Sequence, residues 1–121
     1  MTHRPDQPRV LVLEDEWLIA EQIEVALSGA GFHVLGPVGR IDAAMTLLGR
    51  EGVDVGVLDI NVHGQRTFRV AERMADRSIP FVFLSGYSSV ELPPAFTNRP
   101  LMQKPLDSAA LVRCVGSLVS S

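Results

Sequence analysis

VLVLEDE at residues 10–16 and VGVLDIN at residues 55–61 share one pattern, a short apolar run that stops on carboxylates. Each run is too short for a helix and mostly unbroken rather than alternating, which suits a strand of a parallel sheet covered on both faces. Residues 81–84 (FVFL) and the weaker Leu101-Met102 complete the set, again followed by polar residues, Ser85 and Lys104. A further run at residues 33–38 is rich in valine and glycine and meets Gly36-Pro37, which predicts an edge strand ending there.

Between these runs the apolar spacing becomes helical. Ile19, Ile23, Ala26, Leu27 and Ala30 form one stripe, with Gly29 and Gly31 marking its end. Ala43, Ala44, Leu47 and Leu48 form a second, and Phe68, Val70, Ala71, Met74 and Ala75 a third. Leu111, Cys114, Val115 and Leu118 form the last, placing Cys114 among core-facing residues as a small hydrophobe. Residues 86–100 differ. Pro93-Pro94 and Pro100 leave room for at most a short helix near residues 89–92, which predicts an irregular, comparatively mobile segment with little core contact. Strands alternating with helices, one helix degraded, imply an α/β fold with a doubly wound five-stranded parallel sheet.

The chain has 121 residues, 46% of them hydrophobic, enough for one domain that folds without disulfides or a structural metal. Residues 1–8 read as a flexible N-terminus and 9–119 as the domain, with no effector domain expected. The polar N-terminus is neither a secretory signal nor a targeting helix, and no apolar run approaches the ~20 residues of a membrane span. The expected location is therefore cytoplasmic, away from the membrane. With 11 basic against 14 acidic side chains, interspersed, there is no basic stripe for nucleic acid.

In an open α/β sheet, ligands bind beyond the carboxyl ends of the strands. The residues standing there are Glu14, Asp15 and Glu16, then Asp59, Ser85 and Lys104. Carboxylates converging on one crevice repel one another unless a cation lies between them, and oxygen ligands of this kind suit Mg²⁺. Helix N-termini also favour acids, but that account does not reach Asp59, which ends a buried strand. A carboxylate can act as a nucleophile toward phosphorus, provided cations and donors neutralise the phosphoryl oxygens. Mg²⁺, the Lys104 ammonium and the Ser85 hydroxyl would do so.

VLVLEDE, VGVLDIN, FVFLSGY and LMQKPL together resemble the four signature blocks of response-regulator receiver domains, in that family's order and approximate spacing. The resemblance covers about residues 9–119. EDE with LDIN and PFVFLSGY also resembles the FAT GUY group of receivers, frequent in alphaproteobacteria and often standing alone. The resemblance implies a flavodoxin-like strand order of 2-1-3-4-5. It makes Asp59 the phosphoacceptor, with Asp15 and Asp59 as direct Mg²⁺ ligands, Glu14 acting largely through water, and the Asn61 backbone carbonyl completing the set. Ser85 takes the switch-hydroxyl position and Lys104 that of the family's lysine, where Lys104-Pro105 would be a cis peptide. Asn61 and Tyr87 stand where dephosphorylation is tuned, and Gly86, Leu101 and Pro105 on the output face.

The chain departs from the pattern in three places. Leu101 stands three residues before the lysine, where many receivers carry an aromatic switch residue; Leu106 replaces a usual phenylalanine; and Trp17 follows EDE where a small residue or proline is frequent. Trp17 is either a packing residue or part of a kinase-docking rim. Of the dispersed histidines His3, His33 and His63, only His63 lies in the active-site loop, where it could tune the local field.

The reading is a single-domain response regulator, not an enzyme in its own right, phosphorylated by a histidine kinase or histidine phosphotransfer protein. It would signal to a downstream protein as a monomer or a weak phosphorylation-dependent dimer. Two rivals are a phosphorylation-independent binding module on the same fold and a small aspartyl-phosphate phosphatase. The phosphatase would need a second acid two residues after its nucleophile, where Asn61 stands.

Overall fold

The structure, a computed structural model, describes residues 7–86 and 92–120. The chain runs β1 (Arg9–Leu13), α1 (Trp17–Gly29), β2 (His33–Val38), α2 (Ile41–Arg50), β3 (Val55–Asp59), β4 (Asn61–Val62), β5 (Gln65–Arg66), α3 (Phe68–Asp76), β6 (Phe81–Ser85), β7 (Leu101–Gln103) and α4 (Ser108–Ser120). Five strands form one parallel sheet in the order β2-β1-β3-β6-β7. Counted along the chain within that sheet, this is the 2-1-3-4-5 order of a flavodoxin-like fold.

The unbroken apolar runs resolve into two alternating sets, because successive strand residues point to opposite faces. Val10, Val12, Val55, Val57, Val82 and Leu84 face Ile23 and Leu27 of α1 and Leu111 and Val115 of α4. Leu11, Leu13, Leu58, Phe81 and Phe83 face the other way, onto Ala44 and Leu48 of α2 and Val70, Ala71 and Met74 of α3. Both sets are buried, so neither face could be polar. In α1 the buried stripe is Ala20, Ile23 and Leu27, and Ala30, expected on it, is exposed beyond the helix end. Cys114 is partly buried against the α1/α4 side, and burial pushes its thiol pKa up.

Two sequence expectations need correction. The edge strand β2 covers the expected residues 33–38, but Gly36-Pro37 does not end it: the strand passes through that peptide, which is cis, to Val38. Its pairing jumps there, from Leu11↔Leu35 to Leu13↔Val38. Gly36 sits at φ +94°, and a Cβ on it would lie 2.7 Å from the Val38 nitrogen, so the bend requires glycine.

The second correction concerns the segment before β7. Its described residues 92–100 contain one 3-10 turn, Pro94–Phe96, so the irregular fourth helix holds there. The expectation of little core contact does not, because Phe96 is 3% exposed. Its ring lies 5.7 Å from that of Phe83 and 5.8 Å from that of Phe81, both edge-on, and 6.1 Å from that of Phe68. Arg99 then covers Phe81, its guanidinium 4.5 Å from the ring centroid. The short helix expected near residues 89–92 falls almost wholly outside the described residues. Among the described residues no helix is long and apolar enough to cross a membrane.

Candidate functional site

The carboxyl edge of the sheet gathers the strand-terminal residues into one pocket. Glu14 follows β1, its amide donating to the Val38 carbonyl at 2.8 Å and its side chain buried. Asp59 ends β3, is 4% exposed, and is held from three directions. Its Oδ1 accepts the Asn61 backbone N–H at 3.1 Å, its Oδ2 accepts Lys104 Nζ at 3.0 Å, and its carbonyl accepts the Thr67 hydroxyl at 2.5 Å. Lys104 follows β7, joined to the end of β6 by its amide donating to the Ser85 carbonyl at 3.0 Å, and Lys104-Pro105 is cis. Ser85 is buried at the same edge.

Lys104 is 4% exposed, and three carboxylate oxygens surround its ammonium: Glu14 Oε1 at 2.6 Å, Glu16 Oε1 at 2.7 Å and Asp59 Oδ2 at 3.0 Å. Burial alone would lower the ammonium's pKa, but these carboxylates outweigh it and hold the pKa above its usual value. Glu14 is pushed the other way for a carboxylate, up to about 8, first by burial and then by the adjacent Asp59, with Lys104 only partly opposing. Glu14 Oε1 is taken up by the Lys104 contact, while its Oε2 is buried with no hydrogen-bond partner among the described residues.

Glu14, Asp15 and Asp59 each offer a carboxylate oxygen, and these atoms lie within 4.8 Å of one another. The donors are all hard oxygens and one of the three carboxylates, Glu14, has a buried oxygen, Oε2, with no hydrogen-bond partner among the described residues, so the residues present fit Mg²⁺. Asn61, expected to add its carbonyl, is exposed, and its amide is the group that meets Asp59. Gly86 lines the pocket, while Leu101 (45% exposed) and Pro105 are exposed but do not line it. Tyr87 lies outside the described residues.

Four contributors were not read from the sequence as site residues with these roles. Glu16 caps the start of α1 without a capping hydrogen bond and turns its carboxylate to Lys104 instead. Thr67 is fully buried and ties Asp59 to the start of α3, its own amide donating to the Ile60 carbonyl at 2.9 Å. His63 and Gly64 turn a two-residue hairpin between β4 and β5 with φ of 49° and 78°, the pattern of a type I′ turn. The His63 amide donates to Asp15 Oδ2 at 2.8 Å, and its ring Nδ1 is 3.9 Å from the same oxygen. Arg66 lines the Asp59 pocket itself. The local signal for the turn was His-Gly; Glu16 stood out only as one of the acids after β1, and nothing local marked Thr67 or Arg66.

No family model matches the chain. Among curated proteins it is 31% identical over 93 residues to the cell cycle response regulator CtrA of Brucella ovis, covering 69% of this chain and 36% of that protein. The chain thus spans little more than a third of the length of such relatives. Among solved structures, SdrG from Sphingomonas melonis Fr1 is 32% identical with a TM-score of 0.82, covering 93% of this chain and 97% of that one. A BeF3-activated conformation of SdrG matches at 33% identity and a TM-score of 0.76, covering 92% and 95%. A response regulator receiver protein from Sinorhizobium medicae WSM419, 24% identical, shares the fold at a TM-score of 0.80 over 98% of both chains. With its strand order, its acidic edge and a relative matched over nearly the full length of both chains, this chain belongs to the response-regulator receiver-domain family.

Proposed function

We propose that Asp59 accepts a phosphoryl group from the phosphohistidine of a histidine kinase or phosphotransfer protein. The observation that carries this reading is the convergence of Glu14, Asp15 and Asp59 within 4.8 Å beside the buried Lys104 ammonium. An Asp59 carboxylate oxygen attacks phosphorus, the P–N bond to the histidine breaks, and an acyl phosphate forms while the imidazole leaves. Mg²⁺ held by Glu14, Asp15 and Asp59, with the Asn61 carbonyl, would neutralise phosphoryl oxygens. The Asn61 amide and Thr67 hydroxyl fix Asp59 from opposite sides, so the nucleophile is oriented before the donor arrives.

Once the group is attached, Lys104 and the Ser85 hydroxyl would bind its oxygens. Ser85 ends β6 and is paired with Gln103 of β7, so movement at Ser85 would reach Gly86, Leu101 and Pro105, the proposed output face toward a protein partner. Asn61 and Tyr87 would set water access and thus phosphoryl lifetime. The BeF3-activated conformation reported for SdrG supports this reading, as does the resemblance of EDE and LDIN to the FAT GUY pattern.

Intact-mass measurement after incubation with Mg²⁺ and acetyl phosphate tests the proposal. A single phosphoryl adduct should appear, require Mg²⁺ and disappear in Asp59→Ala. No adduct on the wild-type chain, or one that persists in Asp59→Ala, would overturn the assignment.

A further inference from the structure

Lys104, the pocket's buried cation, is already engaged. An ammonium has three N–H donors, and three carboxylate oxygens lie within 3.0 Å of this one. A phosphodonor is itself an anion, and the pocket it must enter is lined by Glu16 and Asp59 with Glu14 and Asp15 behind them. Beside Mg²⁺, a protein cation not already paired with carboxylates could meet the donor's oxygens before Lys104 is released.

Arg66 has that position. It and Lys104 are the cations lining the cleft of about 170 Å³ that holds Asp59, Asn61 and Gly86. It is exposed and makes no hydrogen bond or ion pair among the described residues. It stands directly opposite Asn61 in the β4–β5 ladder, and opposed residues of an antiparallel pair share a face with Cβ atoms about 4.5–5.5 Å apart. The Asn61 amide is bonded to Asp59 Oδ1, and the next residue, Thr67, is bonded to the Asp59 carbonyl. Arg66 is therefore held beside the nucleophile by anchors on both sides while its own guanidinium stays free, and its planar fork suits phosphoryl oxygens.

We propose that Arg66 is the residue that receives the phosphodonor, its guanidinium donating to the non-bridging oxygens of the incoming phosphoryl group. This rests on the phosphoacceptor reading of Asp59. With acetyl phosphate as donor, the bond from phosphorus to the acetyl oxygen breaks, a bond from phosphorus to an Asp59 oxygen forms, and acetate leaves. Because Arg66 acts on the entering anion, its removal should weaken donor capture more than the transfer step.

The test is the initial rate of adduct formation across acetyl phosphate concentrations at fixed Mg²⁺. Arg66→Gln should raise the half-saturating donor concentration about tenfold, the loss of one charge-assisted contact, and change the saturating rate far less. Arg66→Lys should recover part of the loss. Arg69→Gln, which removes an arginine lining the neighbouring cleft but not this one, should behave as wild type. A half-saturating concentration unchanged in Arg66→Gln overturns the proposal, as does an equal loss in Arg69→Gln. Absence of an Asp59 adduct on the wild-type chain overturns the underlying reading instead.

Discussion

Lys104 Nζ lies 2.6 Å from Glu14 Oε1, and both side chains are almost fully buried. The ammonium is held charged, while the Glu14 carboxyl favours its proton, since burial and Asp59 act on it more strongly than the lysine does. The pocket therefore carries less negative charge at rest than its acidic side chains suggest, and a dication would supply what the lysine leaves unbalanced.

Removing the lysine should expose that imbalance. Lys104→Met leaves Asp59 and Glu14 buried without their cation and should destabilise the metal-free protein by about 3–5 kcal/mol, the range for breaking a buried pair from one side. Glu16→Gln should cost under about 1 kcal/mol, because the Glu16 side chain is 57% exposed and solvent screens it. Urea denaturation of both variants checks this, and Mg²⁺ should restore part of the Lys104→Met loss. Equal effects from the two substitutions would contradict the picture.

Glu14 gives a pH dependence. Its carboxyl is raised from 4.5 to about 8 in the folded chain, so below 4.5 both states are protonated and the stabilising contribution is fully present. As pH rises toward 8 the unfolded chain releases its proton first, and stability falls. Metal-free wild type should thus be less stable at pH 8 than at pH 5, and Glu14→Gln should flatten the slope. Denaturation midpoints at the two pH values, with an unchanged difference in the variant, would refute this.

Phe96 anchors the segment before β7. Phe96→Ala should cost about 3–5 kcal/mol, as for truncation of a buried aromatic side chain. A thermal or urea midpoint within error of wild type would show that the ring does not fill the core against Phe81 and Phe83.

Two glycines should respond with opposite signs. Gly36→Ala meets the Val38 nitrogen and forces an L side chain to φ +94°, which should destabilise by about 1–3 kcal/mol. Gly49→Ala, in α2 with nothing within 4 Å of the new methyl, should stabilise by about 0.5–1 kcal/mol. Paired denaturation curves decide both.

The sheet was legible because each buried strand wrote itself as an apolar run, and the site was legible where a polar residue interrupted such a run. Asp59 and Lys104 stood out for that reason. Glu16 stood out only as an acid at the strand end, and its pairing with a lysine 88 positions away left no local trace. Phe96 was hidden by its prolines, which correctly predicted broken helix but say nothing of where one ring in that segment packs. The β2 range was legible, but Gly36-Pro37 reads as a strand end because glycine and proline usually end strands, whereas here the ladder skips across them to Val38. Arg66 and Thr67 acquire meaning only once β4 and β5 fold back toward Asp59.

That small ribbon has a consequence for how the chain can vary. Asp15 and Asp59 sit at the ends of different strands, yet each carboxylate is gripped by an amide of the same strand and turn, His63 for one and Asn61 for the other. The spacing of the two acids is thereby coupled to the length of one short loop. Exposed side chains such as Gln65 can be exchanged without touching either grip, but one residue inserted at the His63-Gly64 turn would disturb the amide that holds Asp15 while leaving the Asn61 grip on Asp59 in place. The ribbon after Asp59 tolerates exchange at an exposed position such as Gln65 but not a change of length.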